Sequence, residues 1–225
     1  MSNAQTFLTD EQQQSIVDAI AETEKQTSAE LVCALSTESG RYDRAEAIAG
    51  LFGSLLALGL VHMILNWGEQ AMWGGQESAG LWLQAIAVVG GFVVGSVLAS
   101  FCHPFRYLLT LEREMAVEAE RAAARVFATQ GLHKTNGRGG FLLYISLYER
   151  RMIIRADSAV LEAVGSETLD RWCEMAGEDL GKGLRAESFL DVIEAAREEL
   201  SEKLPIREGD VDELPNHFLI YHPRP

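Results

Sequence analysis

Two long apolar runs dominate the alternation of hydrophobic and polar positions. Ala47 to Leu65 carries no charged residue, and Leu81 to Cys102 repeats that pattern. Each is about the twenty apolar residues needed to cross a bilayer core as a helix. In hydrocarbon every backbone amide needs an internal partner, so a helix is the form such a run takes. The stretch between them, Trp67 to Gly80 (WGEQAMWGGQESAG), is too short to fold by itself. The pattern predicts a transmembrane hairpin. The alternative is a pair of core helices in a soluble protein, but such helices normally keep a polar face. Ala49, Gly53 and Ala57 fall four apart on the first run, as do Ala87, Gly91, Gly95 and Ala99 on the second. Small residues at that spacing let two helix backbones approach closely within a membrane. His62 and Asn66 are polar, but they lie about a turn from the end of the span. With no buried acid or base between the two runs, the hairpin reads as an anchor rather than a transport path.

The remaining pattern is that of an α/β domain. Thr9-Asp10-Glu11-Gln12 has the form of a capping box. Ile16, Ala19, Ile20 and Thr23 then recur at helical spacing to about Lys25. Ala29 to Ser36 (AELVCALS) reads as a strand, followed by a loop from Glu38 to Asp43. After the second apolar run, Pro104 stops or kinks the helix. Leu108 to Gln130 is helical again, with Met115, Ala119, Ala122 and Val126 on one side and Gly131 as a left-handed cap. Gly139 to Leu147 (GGFLLYISL) is nearly all apolar, as expected of a strand covered on both faces. Arg151 to Asp157 (RMIIRAD) is its partner through a tight turn, and its arginines place it nearer an edge. Two further helices are predicted at Ser166–Leu180 and Glu187–Lys203, turned by Gly181-Lys182-Gly183. The tail is irregular, with an apolar patch, Phe218 to Tyr221, that should dock. The first strand cannot form a sheet alone. It needs the strands beyond the hairpin, so we expect a helix-covered sheet, an α/β/α sandwich, with the hairpin inserted into it. The corresponding segments are 1–44 (first helix and strand), 45–106 (hairpin) and 107–225 (remainder and tail).

Charge adds orientation. Arg41 and Arg44 precede the first run, and His103, Arg106 and Arg113 come after the second, while the link holds Glu69 and Glu77 and no Lys or Arg. Basic residues are retained on the cytoplasmic side, so both termini are expected in the cytoplasm of a two-pass protein of the cell (inner) membrane. Trp67, Trp73 and Trp82 fall at the outer boundary, and Phe101, Phe105 and Tyr107 at the inner one, where amphipathic rings favour the interface. The 225 residues carry a net charge of −14. Nucleic-acid binding needs a basic stripe, and none is present. Met1 to Glu30 lacks the apolar core of a signal peptide, so insertion is expected to use the first run itself. Cys33, Cys102 and Cys173 are too dispersed for a zinc site or a disulfide framework. Cys102, at the inner membrane edge, is open to acylation, although a small apolar residue at a helix end is the favoured explanation.

The block Gly131 to Asp157, GLHKTNGRGGFLLYISLYERRMIIRAD, resembles the TPM domain family, named for thylakoid and photosystem II repair proteins and a worm membrane protein. It looks most like the bacterial membrane branch of that family. The features that carry the likeness are Gly131-Leu132-His133, Lys134-Thr135, Gly140, the Glu149-Arg150-Arg151 turn and Asp157. Glu213-Leu214-Pro215-Asn216 resembles the branch's ending. The likeness spans roughly Phe7 to Arg44 and Glu112 to Asn216. It implies an α/β/α sandwich, and on activity either acid phosphatase chemistry or an accessory role in assembling or repairing membrane complexes.

Read as chemistry, His133, Lys134, Thr135 and Arg138 form a basic loop with donors for an anion. His133 could act as acid or base. Asp157 at a strand end could hold a divalent cation, the cofactor a metal-assisted phosphatase would need. Glu149 and Arg150 complete the set of candidate ligand-binding residues. A structural role accounts for the same residues. Positive charge is stabilising beyond a helix C-terminus, Glu149-Arg150-Arg151 makes a turn, and Asp157-Ser158 can end a strand and cap the next element. The sequence has no glycine-rich phosphate loop and no Cys-x5-Arg cradle. The favoured expectation is therefore a membrane-anchored accessory or interaction domain whose partners are the lipid bilayer and other membrane proteins. The alternative is a metal-assisted phosphatase acting on phosphate monoesters.

Overall fold

A computed structural model describes residues 3–67, 77–135, 137–206 and 218–225. The chain divides into two compact units, Met1–Gly40 with Met115–Pro225, and Arg41–Glu114. Glu69, Trp73 and the Glu213-Leu214-Pro215-Asn216 ending lie outside the described residues, as do the side chains of Asn66, Trp67, Glu77 and His103.

The first unit opens with a reciprocal cap. The Gln12 amide donates to Thr9 Oγ1 at 3.2 Å and the Thr9 amide donates to Gln12 Oε1 at 3.0 Å, starting helix α1 (Asp10–Glu24). Strand β1 (Glu30–Ser36) is buried along its whole length. After the second unit come α5 (Glu112–Thr129), β2 (Gly140–Ser146), β3 (Arg151–Ala156), α6 (Ser158–Val164), α7 (Ser166–Gly181), α8 (Glu187–Lys203) and β4 (Phe218–Tyr221). The sheet order is β3-β2-β1-β4. β1 is parallel to both β2 and β4, whereas β2 and β3 form an antiparallel pair.

Strand periodicity assigns the two faces. Leu31, Cys33 and Leu35 of β1 and Phe141, Leu143 and Ile145 of β2 pack among buried residues of α1, α6, α7 and α8. Val32, Ala34, Leu142 and Tyr144 face the opposite way, onto Ala119, Ala122, Ala123 and Val126 of α5. A strand apolar at every position is what a sheet covered on both sides requires. The four-stranded sheet with helices on both faces is therefore the mixed α/β architecture expected, and β3 is at its edge.

Three elements differ from the sequence reading. The tail does not stay irregular: Phe218–Tyr221 pairs with Cys33–Ser36 as β4. Four residues are too few for a periodic signal, and the partner lies far back in the chain. The helix expected over 108–130 is the single helix α5, but it starts later, at Glu112, and Leu108 and Leu109 belong to the helix before it. Thr110 is extended (ψ 129°), ending α4 (His103–Leu109), whose first turn contains Pro104. Helix α6 appears where only a cap was foreseen.

The second unit contains α2 (Asp43–Trp67), α3 (Glu77–Phe101) and α4. The two long helices meet through the small residues. A Cβ built on Gly53 would collide with the Gly91 carbonyl, and one on Gly95 with the Ala49 carbonyl. Larger residues there would push the helices apart. Ser54 Oγ donates to the Val88 carbonyl (2.9 Å) and Ser96 Oγ to the Glu46 carbonyl (3.2 Å), adding side-chain bonds between helices. Arg106 of α4 lies over the Tyr42 ring, 5.8 Å from its centroid.

Candidate functional site

Strand β2 has one candidate cluster at each end. At its amino end the chain leaves α5 through Gly131, which is left-handed (φ 76°), and enters a short 3-10 turn, Leu132–Lys134. Gly140 is demanded by close approach, since a Cβ there would overlap the Leu132 carbonyl. Thr135 is buried. Its Oγ1 accepts from the Gly139 amide (3.1 Å) and donates to the Leu132 carbonyl (3.5 Å). This residue fastens the loop. His133, Lys134 and Arg138 are exposed. Arg138 holds a left-handed conformation (φ 52°), and its carbonyl accepts from the Ala159 amide at 3.2 Å.

Asp157 lies at the same end of the sheet because β3 runs antiparallel to β2. Its amide donates to the Gly140 carbonyl (2.8 Å), and its Oδ1 accepts from the Ser158 amide (2.6 Å), making it the N-cap of α6. The carboxylate thus has a structural engagement. Among the described residues no three His, Cys, Asp or Glu side chains gather as a metal-binding group.

Glu149 and Arg150 lie at the opposite end, in the β2–β3 turn. Seven residues of strand put roughly 20 Å between the two ends. The candidates do not converge on one cleft. Glu149 instead joins a buried cluster that the sequence did not suggest. Ser39 donates its amide to Glu149 Oε1 (2.8 Å) and its hydroxyl to Ser146 Oγ (2.8 Å), and Ser146 donates to Glu149 Oε2. Tyr144 OH is 2.9 Å from Ser39 Oγ. Each hydroxyl has one proton, and that of Ser39 is committed to Ser146. Tyr144 must therefore donate to Ser39, and the chain of donors runs Tyr144, Ser39, Ser146, Glu149. It ends on the carboxylate. Burial, and more weakly the Glu149 charge, raises the Tyr144 phenol above its usual range despite the serine hydrogen bonds, so it stays protonated at neutral pH. None of the four residues is more than 3% exposed. The cluster holds the loop after β1 onto the β2–β3 turn rather than meeting a ligand.

The tail is fastened to that same loop. Thr37 donates its amide to the Tyr221 carbonyl (3.2 Å), Glu38 its amide to the Pro223 carbonyl (2.9 Å), and Arg224 Nε pairs with Glu38 Oε1 (3.1 Å). His222 Nδ1 lies 2.9 Å from Thr37 Oγ1. The sequence holds only the polar residues that end these two apolar strands, and the register of the folded sheet is what brings them together. Ser36 and Ser146 are register partners, as are Ala34 and Tyr144. Polar side chains of matching parity at the carboxyl ends of two apolar strands mark a shared buried site.

Also at the carboxyl end of β2, an open cleft of about 450 Å³ is lined in part by Phe7, Leu147, Leu180, Arg150 and Arg185. Ligands of open α/β sheets favour the carboxyl ends of strands.

No family model and no curated protein matches the chain. Among solved structures, the chain is similar to the NMR structure of the BA42 protein from the psychrophilic bacterium Bizionia argentinensis. The match has 18% identity, covers 98% of this chain and 100% of that one, and has a TM-score of 0.57. At that identity the likeness is one of fold.

Proposed function

We propose that this protein is a membrane-anchored α/β domain of the TPM type, held by its helical hairpin with both termini in the cytoplasm, that serves as an accessory or interaction factor for other membrane proteins. The observation that carries the anchor is the exposure of α2 and α3. Among the described residues, nineteen large apolar side chains from Leu51 to Phe101 are exposed. At about 1 kcal/mol or more each, leaving them in water forgoes on the order of 20 kcal/mol, more than the net stability of an ordinary domain. The two alternatives for such helices fit poorly. A soluble core helix is mostly buried, whereas the apolar windows here are 17% and 0% buried. A signal sequence lies near the N-terminus, and these helices lie mid-chain. The TPM reading draws on the Gly131–Asp157 block, and the accessory role on the absence of convergence among the candidate catalytic residues.

The anchor and its orientation are tested together in a background lacking Cys33, Cys102 and Cys173. The protein should resist alkaline extraction from membranes. A membrane-impermeant thiol reagent added to intact spheroplasts should label Gly75→Cys and miss Ser201→Cys. Labelling of Ser201→Cys without lysis would overturn the orientation, and release by alkali would overturn the anchor.

The phosphatase alternative draws on one observation, the exposed His133, Lys134 and Arg138 beside Asp157. We expect His133→Ala and Arg138→Ala to change stability by at most about 1 kcal/mol and to alter no turnover. Hydrolysis of a phosphate monoester by purified protein, lost in His133→Ala at unchanged unfolding temperature, would reinstate that alternative.

A further inference from the structure

We infer that the cleft at the carboxyl end of β2 is a binding site for a small monocarboxylate with a compact apolar body, gripped by Arg185. Its volume, about 450 Å³, falls in the range of small-molecule sites. The chemistry of the lining is divided. Phe7, Leu147 and Leu180 supply apolar surface, and the two arginines supply the cations.

Arg185 is the informative residue. Arg171 and Lys203 pair with Glu199, Lys182 with Glu178 and Asp179, and Arg197 with Glu194. Arg185 has no such counter-ion: among the described residues it makes no ion pair. One of its N–H groups donates to the Phe7 carbonyl (3.0 Å), and its guanidinium lies over the Phe7 ring, 4.8 Å from the centroid. A neutral carbonyl and a ring face thus position the cation without neutralising it. A planar fork held in this way suits bidentate capture of a carboxylate. Arg150 lines the same cleft from the β2–β3 turn, in a left-handed conformation (φ 51°) that non-glycine residues seldom adopt. Such backbone strain concentrates at ligand sites.

The wall formed by the end of α7 is compatible with an anion. Helix C-termini normally expose carbonyl oxygens that repel one. Here the Glu178 and Asp179 carbonyls accept from the Lys182 amide, the Leu180 carbonyl from Gly183, and the Asp179 carbonyl also from Leu184. Gly177, Gly181 and Gly183 line the space without side chains to fill it. The protein's net charge of −14 disfavours polyanions at long range. Among anions, a single negative charge on an apolar body suits the Arg185 fork and meets the least repulsion from this field.

The test uses the full chain in phosphatidylcholine nanodiscs, with hexanoate, hexyl phosphate and hexylamine as probes and saturation-transfer NMR as the readout. Hexanoate should bind saturably above the level of empty discs, hexyl phosphate more weakly, and hexylamine not at all. Arg185→Gln should weaken hexanoate about tenfold or more by removing a charged fork. Gly181→Leu fills the cleft with both arginines in place. An added Cβ there meets nothing within 4 Å, and the backbone is not left-handed, so the fold should persist and binding should vanish. Hexanoate binding unchanged in both variants, saturable hexylamine binding, tighter hexyl phosphate than hexanoate, or no hexanoate signal above empty discs would each overturn the assignment.

Discussion

A fragment beginning at Leu111 should fail to fold cooperatively, although it retains three of the four strands and four helices. Its missing strand is the one the sheet is built on. β1 pairs with β2 over seven residues and with β4 over four, so its loss leaves β4 without its strand partner. Leu31, Val32 and Leu35 are buried on one face or the other, and α1 removes Ile16 and Ile20 as well. Five such side chains at about 1.5–3 kcal/mol each amount to roughly 10 kcal/mol, comparable to the entire net stability of a domain. Joining Met1–Arg44 to Leu111–Pro225 through a flexible glycine-serine linker should restore a single cooperative urea transition followed by circular dichroism. Cooperative unfolding of the Leu111 fragment at the midpoint of the full chain would refute the view that residues on both sides of the hairpin form one sheet.

The elements legible in the sequence were those that local chemistry specifies. The Thr9–Gln12 capping box, the left-handed Gly131 and the all-apolar strands each announce themselves within a few residues. The hairpin packing was legible too, because the Gly53 and Gly91 contact results from small residues four apart. Pairing between distant residues could not be read locally. β4 is four residues whose identity as a strand depends on β1, nearly two hundred positions earlier. Ser39, Tyr144 and Ser146 look ordinary singly, and only the parallel β1–β2 register brings the first onto the other two. The basic loop was conspicuous for the opposite reason: its charges are local, and a stretch rich in charge draws attention whether or not it acts. Glu149, grouped with that loop on the strength of a shared motif, belongs to the far end of the strand.

Replacing Glu149 should produce the largest loss of stability of any single change in this buried cluster. Glu149→Ala removes the acceptor for both the Ser39 amide and the Ser146 hydroxyl. Unsatisfied buried donors cost about 1–3 kcal/mol each, so a loss of roughly 3 kcal/mol, or about 6–12 °C in melting temperature, is expected. Glu149→Gln keeps one acceptor oxygen and should lose about half as much. Tyr144→Phe removes only the first donor of the chain and should cost about 1 kcal/mol. The order Ala, then Gln, then Phe is set by the donor direction. If Glu149 were protonated and donating, Gln could replace it in both roles, and Glu149→Gln would be close to neutral. Alkaline pH gives an independent check. Burial raises the folded Tyr144 phenol above its unfolded value of about 10. Across that window the unfolded chain releases a proton that the folded chain retains. The Tyr144 contribution is therefore complete below the unfolded value and is lost as pH rises through the window. Half-buried Tyr221 is raised in the same direction by burial, so it adds to the slope. Tyr144→Phe should flatten the decline in urea midpoint above pH of about 10 without abolishing it. An identical decline in the variant and the parent would mean that Tyr144 is not the buried proton holder the hydrogen-bond chain requires.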